Sequence, residues 1–301
     1  MSKVDCNQAI NGILLANKPQ GLTSNALLQQ LKHLYRARKA GHTGSLDPLA
    51  TGMLPICFGE ATKFCQYLLD ADKCYEATGV LGIKTNTGDV LGEVIEETES
   101  FNISKSELLA VLEQFKGKTK QIPSMFSALK HKGKPLYKYA REGINIERAA
   151  REITIEELEL KAFDGKSFEI RVLCSKGTYI RNLVEDIGER LGVCAHLGKL
   201  HRLHTAGFAN EPMYNLDELQ NKTSTELQTC LLPLVRAVSY LPTLGLNSQE
   251  VDFLRQGRVL KKEMDGIRGS VRLYDEMGQF VGLGELDEHT LTVKRLLSII
   301  D

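Results

Sequence analysis

The chain has 301 residues, room for one large and one small domain at about 100–200 residues per domain. Its hydrophobic content of 42% and charged content of 25% are ordinary for a globular protein, and no run approaches the roughly 18 apolar residues that span a bilayer. The 38 basic and 38 acidic residues cancel, which excludes a uniformly basic nucleic-acid binder and leaves only local patches to consider.

The opening MSKVDCNQAINGILL lacks the plan of a leader peptide, so the cytoplasm is the expected compartment. Thr23 or Ser24 can cap a helix whose apolar face is Leu27, Leu28, Leu31, Leu34 and Tyr35. From Gly41 to Gly59 the breakers are too many for one long element, and loop with a short turn of helix is expected. Phe64, Cys65, Leu68 and Leu69 mark a helical face, and Lys73 to Leu81 alternates like a strand. Ser104 and Glu107 form a capping box ahead of Leu108, Leu109, Val111, Leu112 and Phe115. Lys116 to Gly143 is polar, basic and broken by Pro123, Gly133 and Pro135, a long surface excursion of the kind compact domains keep for function.

Ile153, Ile155, Leu158 and Leu160 suggest a strand of imperfect period, and Phe168, Ile170, Val172 and Cys174 a clean buried face. Ile180, Leu183, Val184, Ile187 and Leu191 then make the apolar side of a helix, which places Tyr179 and Arg181 where a strand hands over to a helix N-terminus. Beyond Leu241-Pro242 the texture changes to short glycine-punctuated strands, Ser270 to Tyr274, Gln279 to Leu283 and Thr290 to Arg295. The expected division is therefore residues 1–240 and a small β-rich unit, 241–301.

Charge is unevenly spread. Lys116, Lys118, Lys120, Lys130, Lys132, Lys134, Lys138 and Arg141 form one basic stripe, and Arg255, Arg258, Lys261, Lys262, Arg268 and Arg272 a second. Either a solvated face or a phosphate track reads this way from charge alone. The seven cysteines contain no C-x-x-C pair, and Cys57, Cys65 and Cys174 read as small core side chains. His196, His201 and His204 fit no common metal spacing, so no metal site is expected. A dinucleotide fingerprint, a phosphate loop, H-E-x-x-H and G-x-S-x-G are all absent.

What stands out is Gly41-His42-Thr43-Gly44-Ser45-Leu46-Asp47-Pro48-Leu49-Ala50-Thr51-Gly52. Pro48 disfavours a helical conformation for Asp47, and the glycines permit sharp turns and close packing. By local pattern Asp47 reads equally as the cap of a turn begun by Pro48. The stretch resembles the signature of the bacterial tRNA pseudouridine-55 synthase family. Lys18-Pro19-Gln20-Gly21-Leu22-Thr23-Ser24 resembles that family's first motif, followed at family spacing by Gly59-Glu60-Ala61-Thr62-Lys63 and Lys73-Cys74-Tyr75. Pro123 to Lys130 resembles its insertion, Gly177-Thr178-Tyr179-Ile180-Arg181 its late motif, and Ala195-His196, Leu200 and Arg202 continue it. The ordered match runs from about residue 11 to about residue 210. Departures occur at Ser124 and Phe126, where the family often has proline and tyrosine, and at His201, where it often has arginine; they touch RNA contacts or packing.

The resemblance implies an α+β fold: a pseudouridine synthase domain with a mixed or antiparallel sheet and an RNA-binding insertion at about 116–143, then a small PUA-like RNA-binding domain. It implies isomerisation of uridine 55 in the tRNA T loop by base flipping, from N-glycoside to C-glycoside, with no cofactor, in a monomer. Asp47 is then the essential carboxylate, Arg181 the cation that keeps it ionised through a planar fork, and Tyr75 the ring stacked on the flipped uracil. Tyr179 and Leu200 become pocket walls and His42 the residue that helps extrude the base. Lys18, Lys130 and Arg202 become substrate contacts. A non-catalytic RNA-binding module on the same scaffold is the alternative. A glycosidase-like hydrolase would want a second carboxylate, which the Gly41–Gly52 motif does not contain.

Overall fold

The computed structural model describes residues 10–262 and 266–298; the opening residues 1–9, read above as no leader, lie outside them. Strand β1 (Gly12–Lys18) is followed by helix α1 (Ser24–Leu34), whose N-cap is Thr23, its hydroxyl accepting from the Ala26 N–H. Leu27, Leu28 and Leu31 pack with Leu14, Leu54, Ile56 and Phe58 in one apolar cluster, each full burial contributing about 1.5–3 kcal/mol. Strands β2 (Ala40–His42) and β3 (Thr51–Phe58) flank the loop that carries Asp47.

Strand β3 departs from the expectation of loop across Gly41 to Gly59. Residues 52–58 are buried throughout because both faces are covered. The run Met53-Leu54-Pro55-Ile56-Cys57-Phe58 is therefore continuously apolar rather than alternating, the pattern of a central strand. Pro55 is tolerated opposite Leu15, and its carbonyl accepts from the Thr43 N–H at 3.0 Å.

A short 3-10 turn (Gly59–Phe64) runs into α2 (Cys65–Asp70) and then β4 (Lys73–Leu81). A hairpin of β5 (Ile83–Thr85) and β6 (Val94–Glu97) precedes α3 (Lys105–Gln114), which carries the Ser104/Glu107 capping box expected of it. The basic excursion is structured at both ends. Strand β7 (Gly117–Gln121) joins the main sheet, and β8 (Lys130–His131) and β9 (Lys134–Pro135) form a hairpin leading into α4 (Leu136–Arg141). Positive φ at both Lys132 (47°) and Gly133 (81°) gives that hairpin its two-residue turn.

Strands β10 (Arg151–Phe163) and β11 (Ser167–Cys174) follow. Bulges between Ile155 and Glu157 and between Leu160 and Ala162 account for the imperfect period read in the sequence. Helix α5 (Ile180–Arg190) buries Ile180, Leu183, Val184 and Ile187, as its pattern predicts, and leads to β12 (Ala195–Thr205). The order β1-β3-β12-β4-β11-β10-β7, with β2 beside β3, makes a mixed eight-stranded sheet, parallel only between β3 and β12.

The C-terminal strands are β13 (Thr243–Gly245), β14 (Leu260–Lys261), β15 (Gly269–Tyr274), β16 (Phe280–Leu286) and β17 (Thr290–Leu296). They form a separate sheet in the order β13-β15-β16-β17-β14 around Val271, Leu273 and Leu291. This sheet docks on the first through Phe280, 5.6 Å from Phe64, and through Leu283, which shares a cluster with Met53 and Phe64. No helix among the described residues is long and apolar enough to cross a membrane.

The seam between β3 and β12 depends on Gly52, at φ +100°, where an added Cβ would lie 2.2 Å from the Arg202 carbonyl oxygen. Gly52→Ala is expected to destabilise the protein by about 3 kcal/mol or more, combining left-handed strain with a backbone clash. Gly165→Ala, at φ +91° with open space around it, should cost only about 1–2 kcal/mol. Urea denaturation of both variants checks this; equal losses would contradict it.

Candidate active site

The loop between β2 and β3 is fastened from below before its carboxylate is considered. Ser24 is the first helical residue of α1 rather than its cap, so its hydroxyl is available to Leu46. It accepts from the Leu46 N–H at 2.8 Å and donates to the Leu46 carbonyl at 3.0 Å. Gly21 N–H reaches the Pro48 carbonyl at 2.8 Å, and Ala50 N–H closes the turn on the Asp47 carbonyl at 3.0 Å. The Asp47 backbone thus makes the turn, and its carboxylate points elsewhere.

That carboxylate meets Arg181 from the first turn of α5, with Oδ2 3.0 Å from Nε. The Arg181 side chain is only 6% exposed and spends its other donors on backbone. Nη1 donates to the Thr87 carbonyl at 2.8 Å, and Nη2 to the Phe126 carbonyl at 2.7 Å. One nitrogen faces Asp47, and the two terminal nitrogens hold the β5–β6 hairpin and the insertion.

Two cavities meet at this pair. The smaller, about 300 Å³, is lined by Tyr75, Tyr179, Leu200, Lys73 and Arg202; the larger, about 570 Å³, by His42, Asn25, Asp89, Leu91, Tyr137 and Arg141. Ser45 to Asp47, Phe126 to Ala128 and Arg181 line both. A third cavity of about 400 Å³ opens among Glu76, Glu169, Lys161 and His201 and does not include Asp47.

Asp47 keeps 45% of its side chain open to this space, yet the protein around it displaces enough water to push its pKa above the usual carboxylate range. Arg181 pulls it back, Asp89 pushes it up again, and Lys18 lowers it. Asp89 comes from outside the Gly41–Gly52 motif, so the larger cavity holds the second carboxylate that the motif lacked. Its Oδ1 is engaged by the Thr87 hydroxyl at 2.9 Å and the Leu91 N–H at 3.1 Å.

The remaining site residues of the sequence reading divide into two groups. Tyr75 and Leu200 sit on adjacent strands β4 and β12 and line the smaller cavity together with Tyr179. Burial keeps the Tyr75 phenol above its ordinary pKa, with Arg202 opposing, so it is a donor at neutral pH. His42 lines the larger cavity; burial, then Arg202, holds its imidazole below the ordinary range, and its buried Nδ1 has no hydrogen-bond partner among the described residues.

Of the two further expected substrate contacts, Lys18 lines neither cavity at Asp47, whereas Arg202 lines the smaller one while also bonding backbone. Lys18 is fully buried, its Nζ bonded to the Pro19 and Leu22 carbonyls at 2.9 and 2.7 Å. Burial lowers its pKa to about 8, Asp47 opposing. Arg202, 1% exposed, donates from Nε to the Met53 carbonyl at 2.6 Å and from Nη2 to the Gly44 carbonyl at 3.0 Å. Lys130 is exposed in the β8–β9 hairpin and lines neither cavity at Asp47. The basic stripe is less bare than its sequence implies: Lys116, Lys118 and Lys134 pair with Glu113, Glu152 and Glu142.

Besides Asp89, three participants escaped the sequence reading. Thr87 and Phe126 act through backbone carbonyls, which no residue type signals. Gln121, 5% exposed at the end of β7, donates from Nε2 to the Tyr179 carbonyl at 3.0 Å and accepts from the Tyr179 N–H at 2.8 Å. A glutamine just before Ile122-Pro123 in a run of lysines was the available signal.

The chain matches known proteins along nearly its whole length. Residues 32–180 match the model for the TruB family pseudouridylate synthase N-terminal domain, residues 181–239 that for the tRNA pseudouridylate synthase B C-terminal domain, and residues 242–297 that for the pseudouridine synthase II TruB C-terminal region. It is 59% identical over 300 residues to a tRNA pseudouridine synthase B of Legionella pneumophila (strain Lens), covering 99% of both chains. A protein of the same name from Methylobacillus flagellatus is 50% identical over 289 residues, 96% of this chain and 95% of that one. Among solved structures, a chain of a Cbf5-Nop10-Gar1 complex superposes with a TM-score of 0.73 at 24% identity, covering 95% of this chain and 84% of that one. A chain of an archaeal box H/ACA sRNP Nop10-Cbf5 complex gives 0.71 at 23% identity, covering 95% and 86%. The structures share the fold; the sequences carry the kinship. From the Asp47 motif to the C-terminal sheet, this chain belongs to the TruB family of pseudouridylate synthases.

Proposed function

We propose that the protein converts uridine 55 of the tRNA T loop to pseudouridine, with Asp47 as the carboxylate that acts on the ribose. The observation that carries this reading is the Asp47–Arg181 pair on the wall shared by two cavities. It stands in a chain whose relatives bear the name tRNA pseudouridine synthase B over 95–99% of their length. A binding-only module is not favoured beside such relatives.

The chemistry is balanced without a redox partner. The N1–C1′ bond breaks, the uracil turns over, C5 bonds to C1′, the C5 proton leaves and N1 gains one. An ionised carboxylate serves by adding to C1′, as in retaining glycosidases, or by taking a proton from C2′. Either route needs Asp47 charged, so the cation matters. Lys18 adds to the field from behind.

In this reading the uracil enters the smaller cavity against Tyr75, Tyr179 and Leu200, and the flanking RNA runs through the larger one past His42. Extrusion costs a few kcal/mol, repaid by stacking in the pocket. Lys130, Lys132, Lys138 and Arg141 would meet phosphates, giving a salt-dependent affinity. Residues 1–240 form the catalytic part and 241–301 a PUA-like RNA-binding part. A monomer acting in the cytoplasm is the form we infer.

Asp47→Asn keeps the shape and removes the charge. It should abolish pseudouridine at position 55 while tRNA affinity stays within about threefold, since phosphate contacts dominate binding. Mapping pseudouridine in tRNA beside a binding titration decides this; product from a sequence-verified variant would refute the role of Asp47.

The Arg181 series tests the pairing. Methionine removes the charge and all three contacts; lysine keeps a charge but cannot reproduce the planar spread to Asp47, Thr87 and Phe126. Single-turnover rates at saturating tRNA should fall from wild type to lysine to methionine, by about hundredfold or more for the last. Because Arg181 lowers the Asp47 pKa, its removal raises it further, so the acid limb of the methionine variant should move to higher pH. An unshifted limb at the wild-type rate would rule the partnership out.

A further inference from the structure

We propose that Gln121 is a positioning residue for this isomerisation, coupling the RNA-facing insertion to the Asp47–Arg181 pair; the inference rests on the function proposed above. Gln121 ends β7, where the chain leaves the edge of the main sheet opposite Arg151 to begin the insertion. Its amide faces the backbone of Tyr179, accepting that residue's N–H at 2.8 Å and donating to its carbonyl at 3.0 Å. A neighbouring strand would make the same pair of bonds, yet here one side chain supplies both.

The location gives the contact its consequence. Tyr179 is the N-cap of α5, and no side chain caps that helix in the usual way. It is also a wall of the smaller cavity, and Arg181 lies two residues on. The insertion is fastened to the same short stretch a second time, by Arg181 Nη2 on the Phe126 carbonyl at 2.7 Å. Residues 121–126 therefore form a closed bracket, one end gripping the backbone of the pocket wall and the other the cation that faces Asp47. A shift of the insertion when it meets RNA reaches Tyr179 and Arg181 together. Loss of the Gln121 end leaves the Tyr179 N–H short of a partner and frees the pocket wall to tilt. A displacement of about 1 Å in reacting geometry can cost on the order of hundredfold in rate.

Two variants separate positioning from bulk. Gln121→Met keeps the length and apolar burial and removes both bonds. Its single-turnover rate should fall about tenfold or more, the scale of one or two neutral hydrogen bonds, with tRNA Kd changed by less than about threefold. Gln121→Glu can still accept from Tyr179 but regains the donor only when its carboxyl is protonated, and burial favours that form. Its rate divided by the wild-type rate at the same pH should climb several-fold as pH falls from 8 to 5.5. The quotient removes the titration of Asp47 itself. A methionine variant reacting at the wild-type rate, or a flat quotient for the glutamate variant, overturns the inference. Should the methionine variant fail to fold, the quotient alone decides. Wild-type protein run in parallel must form pseudouridine; if it does not, the proposed function fails rather than the role of Gln121.

Discussion

A guanidinium that is 6% exposed has to spend its donors inside the protein, and the way Arg181 does so sets the site. Each of its three contacts comes from a different segment: the β2–β3 loop through Asp47, the β5–β6 hairpin through Thr87 and the insertion through Phe126. An arginine in the first turn of a helix sits poorly with the helix dipole, which makes an anionic neighbour the more necessary. The same contact that steadies the cation lowers the pKa of the carboxylate against the burial that raises it.

The loop under Asp47 is built by the same logic of backbone groups taken up by buried side chains. Ser24 satisfies both polar groups of Leu46, and Arg202 holds the carbonyls of Gly44 and Met53. Gly52 lets β3 approach Arg202 closely enough for this to happen. Lys18 contributes positive charge near the carboxylate without lining either cavity, while Arg202 lines the smaller cavity and braces the loop at the same time. What faces the two cavities is consequently small: a few rings, the carboxylates Asp47 and Asp89, and a few cations. Rigidity comes from residues that touch only protein, which suits a reaction in which a bond must break and re-form within one complex.

Much of this was legible in the sequence where one residue type has one use. The capping box at Ser104 and the apolar face of α5 follow from spacing, and Asp47 and Arg181 from ordered motifs that resemble a family. Strand β3 was not, because a glycine and a proline inside a buried run imitate a loop. Strand β12 was missed for a similar reason, its apolar positions interrupted by His196, Gly198, His201 and His204. For Lys18 and Arg202 the resemblance indicated substrate contact, and only their neighbours show that both also spend donors on backbone carbonyls. Gln121 and the carbonyls of Thr87 and Phe126 belong to a class that motif reading does not reach, since their contribution is made through the backbone.

The central claim is that the carboxylate reorganises a glycosidic bond and leaves the RNA chain whole. Tritium release from tRNA carrying 5-³H-uridine at position 55, scored together with the integrity of the strand and of its base content, tests this most directly. The account predicts one tritium released per site converted, no free uracil, no abasic position and an intact chain. Free uracil with tritium still at C5 would mark a hydrolase, and tRNA retained on the protein with its label unchanged would mark a binding module; either result would contradict the account.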